Sequence, residues 1–432
     1  MQYYSTNHKS PAVSFREAAI TGQPPGKGLY FPAEIPLLPA DFLRTFVTKS
    51  RAAIAFEVIR PYIGEDIPEQ ELYSICEQTV SFEFPLLPVT DLLYTLELYH
   101  GPTLAFKDVG ARFMSRCLAY FSKNTKRQVT ILVATSGDTG SAVANGFLGV
   151  ENVDVVILYP SGKVSKIQEL QLTTLGQNIS ALEVRGSFDD CQKMVKQAFT
   201  DPDLQRHFSL TSANSINVAR WLPQQFYYFF ALQQWEKEQL PVISVPSGNF
   251  GNLCAGLLAR KSGLPVAHFV AACNSNDVFT GYLSSGNYLP KDPVATCSNA
   301  MDVGDPSNYV RLLELFGNDL TRIREAVSSW SISEQETLET IRDVYQRYNY
   351  LLEPHGAVAF RALELYLEKH PGQQGIFLET AHPVKFSDVV EKCTGKPIEV
   401  PFSARHLSSL IKKSIISEPT FEALKEYLLG RC

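Results

Sequence analysis

The chain has 432 residues, 45% of them apolar and 19% charged, and 39 basic residues against 45 acidic ones leave a net charge of −6. That length exceeds one simple core and implies two or three domains. The composition excludes a disordered chain, and the slight acidity argues against a nucleic-acid binder that works through a basic surface. The eight cysteines are scattered, and none forms a CxxC pair, so no thiolate zinc or redox motif of that spacing is present. Scattered thiols in a long chain read as a reducing cytoplasm. The opening MQYYSTNHKSPAVSF lacks the apolar centre of a signal peptide. No apolar stretch reaches the ~18 residues of a membrane span, and none implies a membrane partner.

Taken in order, residues 1–80 hold helical patterns broken by turns such as PPGKGLYFP, with ADFLRTFV as a short amphipathic helix. They read as an added N-terminal segment. Residues 81–105 look extended. From residue 128 apolar strands alternate with helices: VTILVA, then a Gly-rich turn and SAVANGFLG; VDVVILYP, then KIQELQLTTLG; ISALEV, then DDCQKMVKQAF; PVISV, then LCAGLLARKSG; and PVAHFVAAC. Such alternation predicts an α/β fold with a mostly parallel sheet covered on both faces.

In open α/β sheets ligands bind where strands turn into helices. Two such turns are rich in small polar residues: Thr135-Ser136-Gly137-Asp138-Thr139-Gly140-Ser141 and Ser247-Gly248-Asn249-Phe250-Gly251-Asn252. Glycines let the backbone approach an anion, and the first helical N–H groups then point at it. Each turn is an anion cradle or simply a capped tight turn. Neither carries GxxxxGK[ST] or GxGxxG. In Asn214-Ser215-Ile216-Asn217-Val218-Ala219-Arg220, Ser215 caps a helix, and Asn214, Ser215 and Arg220 together suit a phosphate. The same stretch also reads as a surface helix with a solvated arginine. Thr380 ends the strand-like GIFLE and offers a hydroxyl to a ring nitrogen, or is merely a polar strand end. Lys107 follows Leu104-Ala105-Phe106 in HGPTLAFKDVG. It is either a surface charge or an amine held for chemistry. The histidines lack HExxH or HxH spacing, which argues against a metal, and no GxSxG elbow is present.

The stretches HGPTLAFKD at 100–108, SGDTGSA at 136–142, NSINVAR at 214–220, SGNFGN at 247–252 and TAHP at 380–383 lie in this order. Together with the opening YYSTN, VSF and GLYFP they resemble the short bacterial threonine synthases. Those belong to the β-family, or fold type II, of pyridoxal-phosphate enzymes. The resemblance runs over nearly the whole chain. It implies two open twisted mostly parallel sheets flanked by helices. It also implies an N-terminal domain over 1–80, a large cofactor domain over 81–105 and 225–432, and a smaller mobile domain over 106–224.

By the same resemblance, pyridoxal 5'-phosphate is the cofactor. Lys107 would bind its aldehyde covalently and act as the catalytic base, beside Phe106. The turn Gly248-Asn249-Phe250-Gly251-Asn252 would cradle its phosphate. Thr380 would face the pyridine nitrogen, and a hydroxyl there implies a ring that is not fully protonated. Asp138 would lie near the cofactor's 3′ oxygen, where several relatives carry Asn. Ser136, Gly137, Thr139, Gly140 and Ser141 would bind the substrate carboxylate. Asn214, Ser215 and Arg220 would hold the phosphate of O-phospho-L-homoserine. The implied reaction is that substrate plus water giving threonine and phosphate. A fold type II dehydratase or a catalytically silent paralogue are the rivals; the first needs no second phosphate site and the second needs no Lys107. Monomer and homodimer both stay open.

Overall fold

Two sheets carry the architecture, and their central strands are apolar runs buried along nearly their whole length. The computed structural model describes residues 1–123 and 128–431; Cys432 lies outside the described residues. The described chain divides into two units. The first comprises Met1, Phe31–Phe106 and Trp221–Glu399, and the second comprises Gln2–Tyr30, Lys107–Arg220 and Val400–Cys432.

In the first unit a six-stranded sheet runs in the order Val327–Ser331, His268–Cys273, Val242–Pro246, Gly375–Glu379, Leu93–Glu97 and Leu86–Pro88. All neighbours are parallel except the last pair. Helices cover it. Ser333 and Glu336 form a reciprocal capping box for Glu334–Tyr348, and Glu353 caps Pro354–Lys369 with proline at its first position. The helix Phe226–Gln233 explains the apolar tract FYYFFALQ: Phe226 through Ala231 have no exposed surface. A helix apolar all round is an interior helix.

In the second unit five strands lie in the order Ile415–Ser417, Ile179–Val184, Val153–Pro160, Val129–Ala134 and Ser209–Ser212. All four pairings are parallel. The helix Phe188–Thr200, with a Ser187/Asp190 capping box, packs its buried Cys191, Met194 and Val195 with Leu424 and Leu428 of the helix Phe421–Leu429.

The strands and helices expected from 128 to 273 are present at those positions. Of residues 1–80, 2–30 group with the second unit and 31–80 with the first. Residues 400–432 also belong to the second unit rather than to the large domain. The reason is pairing: Ile415–Ser417 adds an edge strand beside Ile179–Val184. The small-domain boundary falls at Lys107 and Arg220, close to the expected 106 and 224.

Candidate active site

The chain leaves the first unit at Phe106 and opens the helix Lys107–Ser122 with the candidate amine itself. The approach to that point is fixed through backbone. Leu104 takes a left-handed conformation, φ 60°, which costs a branched residue about 1–2 kcal/mol. It is held there by a two-sided tie: the Phe106 N–H donates to the Thr380 carbonyl at 2.8 Å, and the His382 N–H donates to the Leu104 carbonyl at 3.0 Å. The Tyr227 hydroxyl donates to the Phe106 carbonyl, and the buried Lys385 Nζ donates to the Thr103 carbonyl at 2.8 Å. The expected Phe106 and Thr380 are thus brought together on paired backbone.

Thr380 leads into a buried polar cluster. Its hydroxyl donates to Glu353 Oε1 at 3.2 Å. The Gly356 N–H reaches the same oxygen at 3.1 Å, while the His355 N–H reaches Glu353 Oε2 at 2.9 Å and His355 Nδ1 lies 2.5 Å from it. The other ring nitrogen, Nε2, accepts the Ala300 N–H at 3.1 Å. Accepting there makes His355 a neutral ring with its proton on Nδ1. Glu379 Oε1 accepts the Glu353 N–H at 2.7 Å, and Glu379 Oε2 is buried without a partner. Burial, then repulsion from Glu353, pushes the Glu379 carboxyl well above its ordinary value near 4.5, so it stays protonated and neutral.

Ala300 links this cluster to the second expected turn. A Cβ on Gly248 would lie 2.6 Å from Met301 Cα and 3.0 Å from the Ala300 oxygen, so only glycine fits. Phe250 adopts φ 61° before the helix Gly251–Lys261, which has no side-chain cap. Its ring is held against Phe279, centroids 4.8 Å apart. Asn249 Oδ1 accepts the Ser307 N–H at 2.6 Å. Asn252 Oδ1 accepts from Tyr228, leaving Asn252 Nδ2 buried with no partner. An uncapped helix start beside an orphaned amide donor fits a phosphate group.

In the second unit, Lys107 Nζ lies 3.9 Å from Asp138 Oδ2, with only 16% of the lysine side chain exposed. Asp138 Oδ1 accepts from Gln168 Nε2 at 2.9 Å. Gln168 comes this close because Gly137 lacks a side chain: a Cβ there would sit 2.5 Å from Gln168 Cδ, and its φ of 136° favours glycine as well. Part of the expected carboxylate-binding set makes hydrogen bonds within the turn itself. The Gly137 and Gly140 N–H groups both donate to Thr135 Oγ1 at 2.9 Å. Ser141 is fully buried and gives its hydroxyl to the Gly137 carbonyl at 3.1 Å. These three residues shape the turn, while Ser136 and Thr139 remain half-buried.

One turn along the lysine's helix, a Cβ on Gly110 would fall 2.7 Å from the Arg220 carbonyl oxygen. Arg220 is buried, and its Nη1 donates to the Ala213 carbonyl at 2.8 Å. Asn214 Oδ1 nearby is buried without a partner. Ser215 is not the expected cap. The short helix Val218–Trp221 is instead begun by Asn217, whose Oδ1 accepts the Ala219 N–H at 2.9 Å. Asn217 wins because its amide also donates to the Ala19 and Ser212 carbonyls, at 2.9 and 3.2 Å.

Sequence reasoning passed over Gln168, Glu353, Glu379 and Tyr227. Two had signals: Ser165 and Gln168 stand at capping-box spacing, and Glu353-Pro354 is a helix start with proline at its first position. Glu379 and Tyr227 lie inside apolar runs and gave none.

Three family models match the chain. The pyridoxal-phosphate dependent enzyme model matches residues 82–378, the threonine synthase N terminus model 2–80 and the threonine synthase C-terminal model 356–428. The threonine synthase of Serratia marcescens is 44% identical over 438 residues, covering 100% of this chain and 99% of that one. The crystal structure of threonine synthase from Escherichia coli superposes with a TM-score of 0.93 at 40% identity, with 100% of each chain covered. The pyridoxal-phosphate-bound threonine synthase of Brucella melitensis superposes with a TM-score of 0.93 at 34% identity, covering 100% of this chain and 99% of that one. Fold and site together define a pyridoxal-phosphate enzyme of fold type II. Within that class the two flanking matches and the full-length identity decide the branch. The chain belongs to the threonine synthase family.

Proposed function

We propose that the chain converts O-phospho-L-homoserine and water to L-threonine and phosphate, with pyridoxal 5'-phosphate carried on Lys107. The observation that carries this reading is full-length identity of 44% to a threonine synthase. The cofactor supplies, when bound, a place for the negative charge left when a substrate C–H proton is removed. Lys107 Nζ takes and returns those protons as a general base and acid. Asp138, 3.9 Å away, balances the charge that Nζ gains with each proton.

The Gly248–Asn252 turn holds the cofactor phosphate through the uncapped helix start and Asn252 Nδ2. Phe106 and Thr380 position the cofactor ring. Ser136 and Thr139 hold the substrate carboxylate, on a turn shaped by Gly137, Gly140 and Ser141. Arg220, with Asn214 and Ser215, holds the substrate phosphate, and its guanidinium stabilises the charge that builds as the phosphate departs. The scattered thiols support a cytoplasmic setting for this chemistry.

Borohydride reduction, digestion and peptide mapping test the first half of this reading, and a pyridoxyl adduct on Lys107 is expected. Assays with O-phospho-L-homoserine and with threonine test the second half. Phosphate and threonine formed in equal amounts support it, whereas 2-oxobutyrate made from threonine as the main activity overturns it in favour of a dehydratase.

A further inference from the structure

Thr380 faces two ways in chemical terms. A hydroxyl has one hydrogen to give and lone pairs to receive with. Considered by itself it can serve an unprotonated ring nitrogen as donor or a protonated one as acceptor. What lies behind it removes that freedom.

Glu353 is fully buried and receives four hydrogens. They come from the Thr380 hydroxyl, the Gly356 N–H, the His355 N–H and the His355 ring. The ring hydrogen is on Nδ1, because Nε2 is occupied in accepting from Ala300. Three of the four donors are therefore N–H groups that can act in no other way. The carboxylate also caps the helix Pro354–Lys369, so two of those N–H groups are helix-start donors with no other acceptor in the helix. The neighbouring acid that holds a proton is Glu379, whose contact with Glu353 is through backbone N–H and not oxygen to oxygen. The third acid of this region, Glu97, is occupied with His100 and the Tyr350 hydroxyl, at 2.7 and 2.8 Å. An ionised carboxylate only accepts, so the Thr380 hydrogen is committed to Glu353.

We propose that Glu353 is a positioning residue which turns the Thr380 hydroxyl so that it can only accept a hydrogen bond from the cofactor ring, holding the ring nitrogen in its protonated form. The inference rests on the reading that Thr380 faces that nitrogen. The hydroxyl alone implied a ring not fully protonated; the carboxylate behind it reverses the donor count. A protonated ring draws charge more strongly, which suits a reaction that removes protons from two adjacent substrate carbons.

The test is 15N NMR of the holoenzyme reconstituted with cofactor labelled at the ring nitrogen. The wild-type signal is expected at the protonated position. In Glu353→Gln, and independently in Thr380→Val, it is expected to move toward the neutral position, with Thr380→Ser restoring it. A wild-type signal at the neutral position overturns the inference outright, and that result needs no variant to fold. A protonated signal that stays put in every folded variant overturns it too, since the proton then owes nothing to Glu353. In both cases a pyridoxyl adduct on Lys107 would still stand, so the proposed function survives. Absence of that adduct sinks the proposed function and this inference with it.

Discussion

Glu379→Gln should stabilise the protein as pH rises, because the native carboxyl is held protonated. Its oxygen Oε1 receives the Glu353 N–H, a bond the amide oxygen of glutamine can keep. Its oxygen Oε2 has no partner, so an NH2 group replaces an equally unpartnered hydroxyl. The variant thus copies the neutral form. The sign follows from proton counting. Above the ordinary value near 4.5, the unfolded chain releases this proton and the folded chain keeps it. Folding then costs more as pH rises, by about 1.36 kcal/mol per pH unit. Over two pH units within the range where the folded carboxyl keeps its proton, the wild type should lose roughly 2.7 kcal/mol that the variant keeps. For a unit of this size that is roughly 5–10 °C in Tm. The gap grows with pH until the folded carboxyl itself ionises, and it vanishes about a pH unit or more below 4.5, where neither state has lost its proton. The assay is calorimetry of the apoprotein of both forms across that range. A gap independent of pH, or a variant less stable throughout, would refute the neutral carboxyl.

Gly248→Ala meets backbone at 2.6 Å and cannot be relieved by a rotamer, so the turn must move by about 1 Å to reach ordinary contact. The loss of one charge-assisted bond, about 1.5–3 kcal/mol, should weaken cofactor binding roughly 10- to 100-fold, read by fluorescence titration; unchanged affinity would remove this turn from the cofactor site. Lys107→Ala should abolish the borohydride adduct and lower kcat by about 10²–10⁴ or more, and a labelled variant would show that another amine carries the cofactor. Arg220→Lys keeps the charge but loses the fork that suits phosphate; KM for O-phospho-L-homoserine should rise about tenfold or more while threonine, which lacks phosphate, binds as before. Equal weakening of both ligands would remove Arg220 from the phosphate site.

The sequence made the strands and turns legible because buried parallel strands are apolar without interruption and end in Gly-rich turns. Val153–Pro160 and Ile179–Val184 stand where those runs are. Lys107 stood out as a candidate because it follows three apolar residues. Chain pairing over long separations was not. Nothing in the polar stretch around Ile415 announces that it joins Ile179–Val184, more than two hundred residues earlier. The polar cluster behind Thr380 was hidden for the same reason: Glu353 and Glu379 are 26 positions apart, and the raised Glu379 carboxyl owes part of its shift to Glu353. Turn chemistry misled at Ser215, where a good capping residue lost to Asn217, which makes three side-chain bonds from one position.

The unit that carries Lys107 is assembled from three separate stretches of chain, and the last begins at Val400. A ribosome making it at ~5–20 residues per second finishes the strands of residues 129–212 long before Ile415–Ser417 and the helix Phe421–Leu429 emerge. During that interval the edge Ile179–Val184 is unpaired, and Leu182, Cys191 and Met194 lack the leucines that later cover them. Premature stop codons between codons 400 and 414 should therefore yield aggregates rather than a shortened enzyme, even though no residue assigned to catalysis is missing.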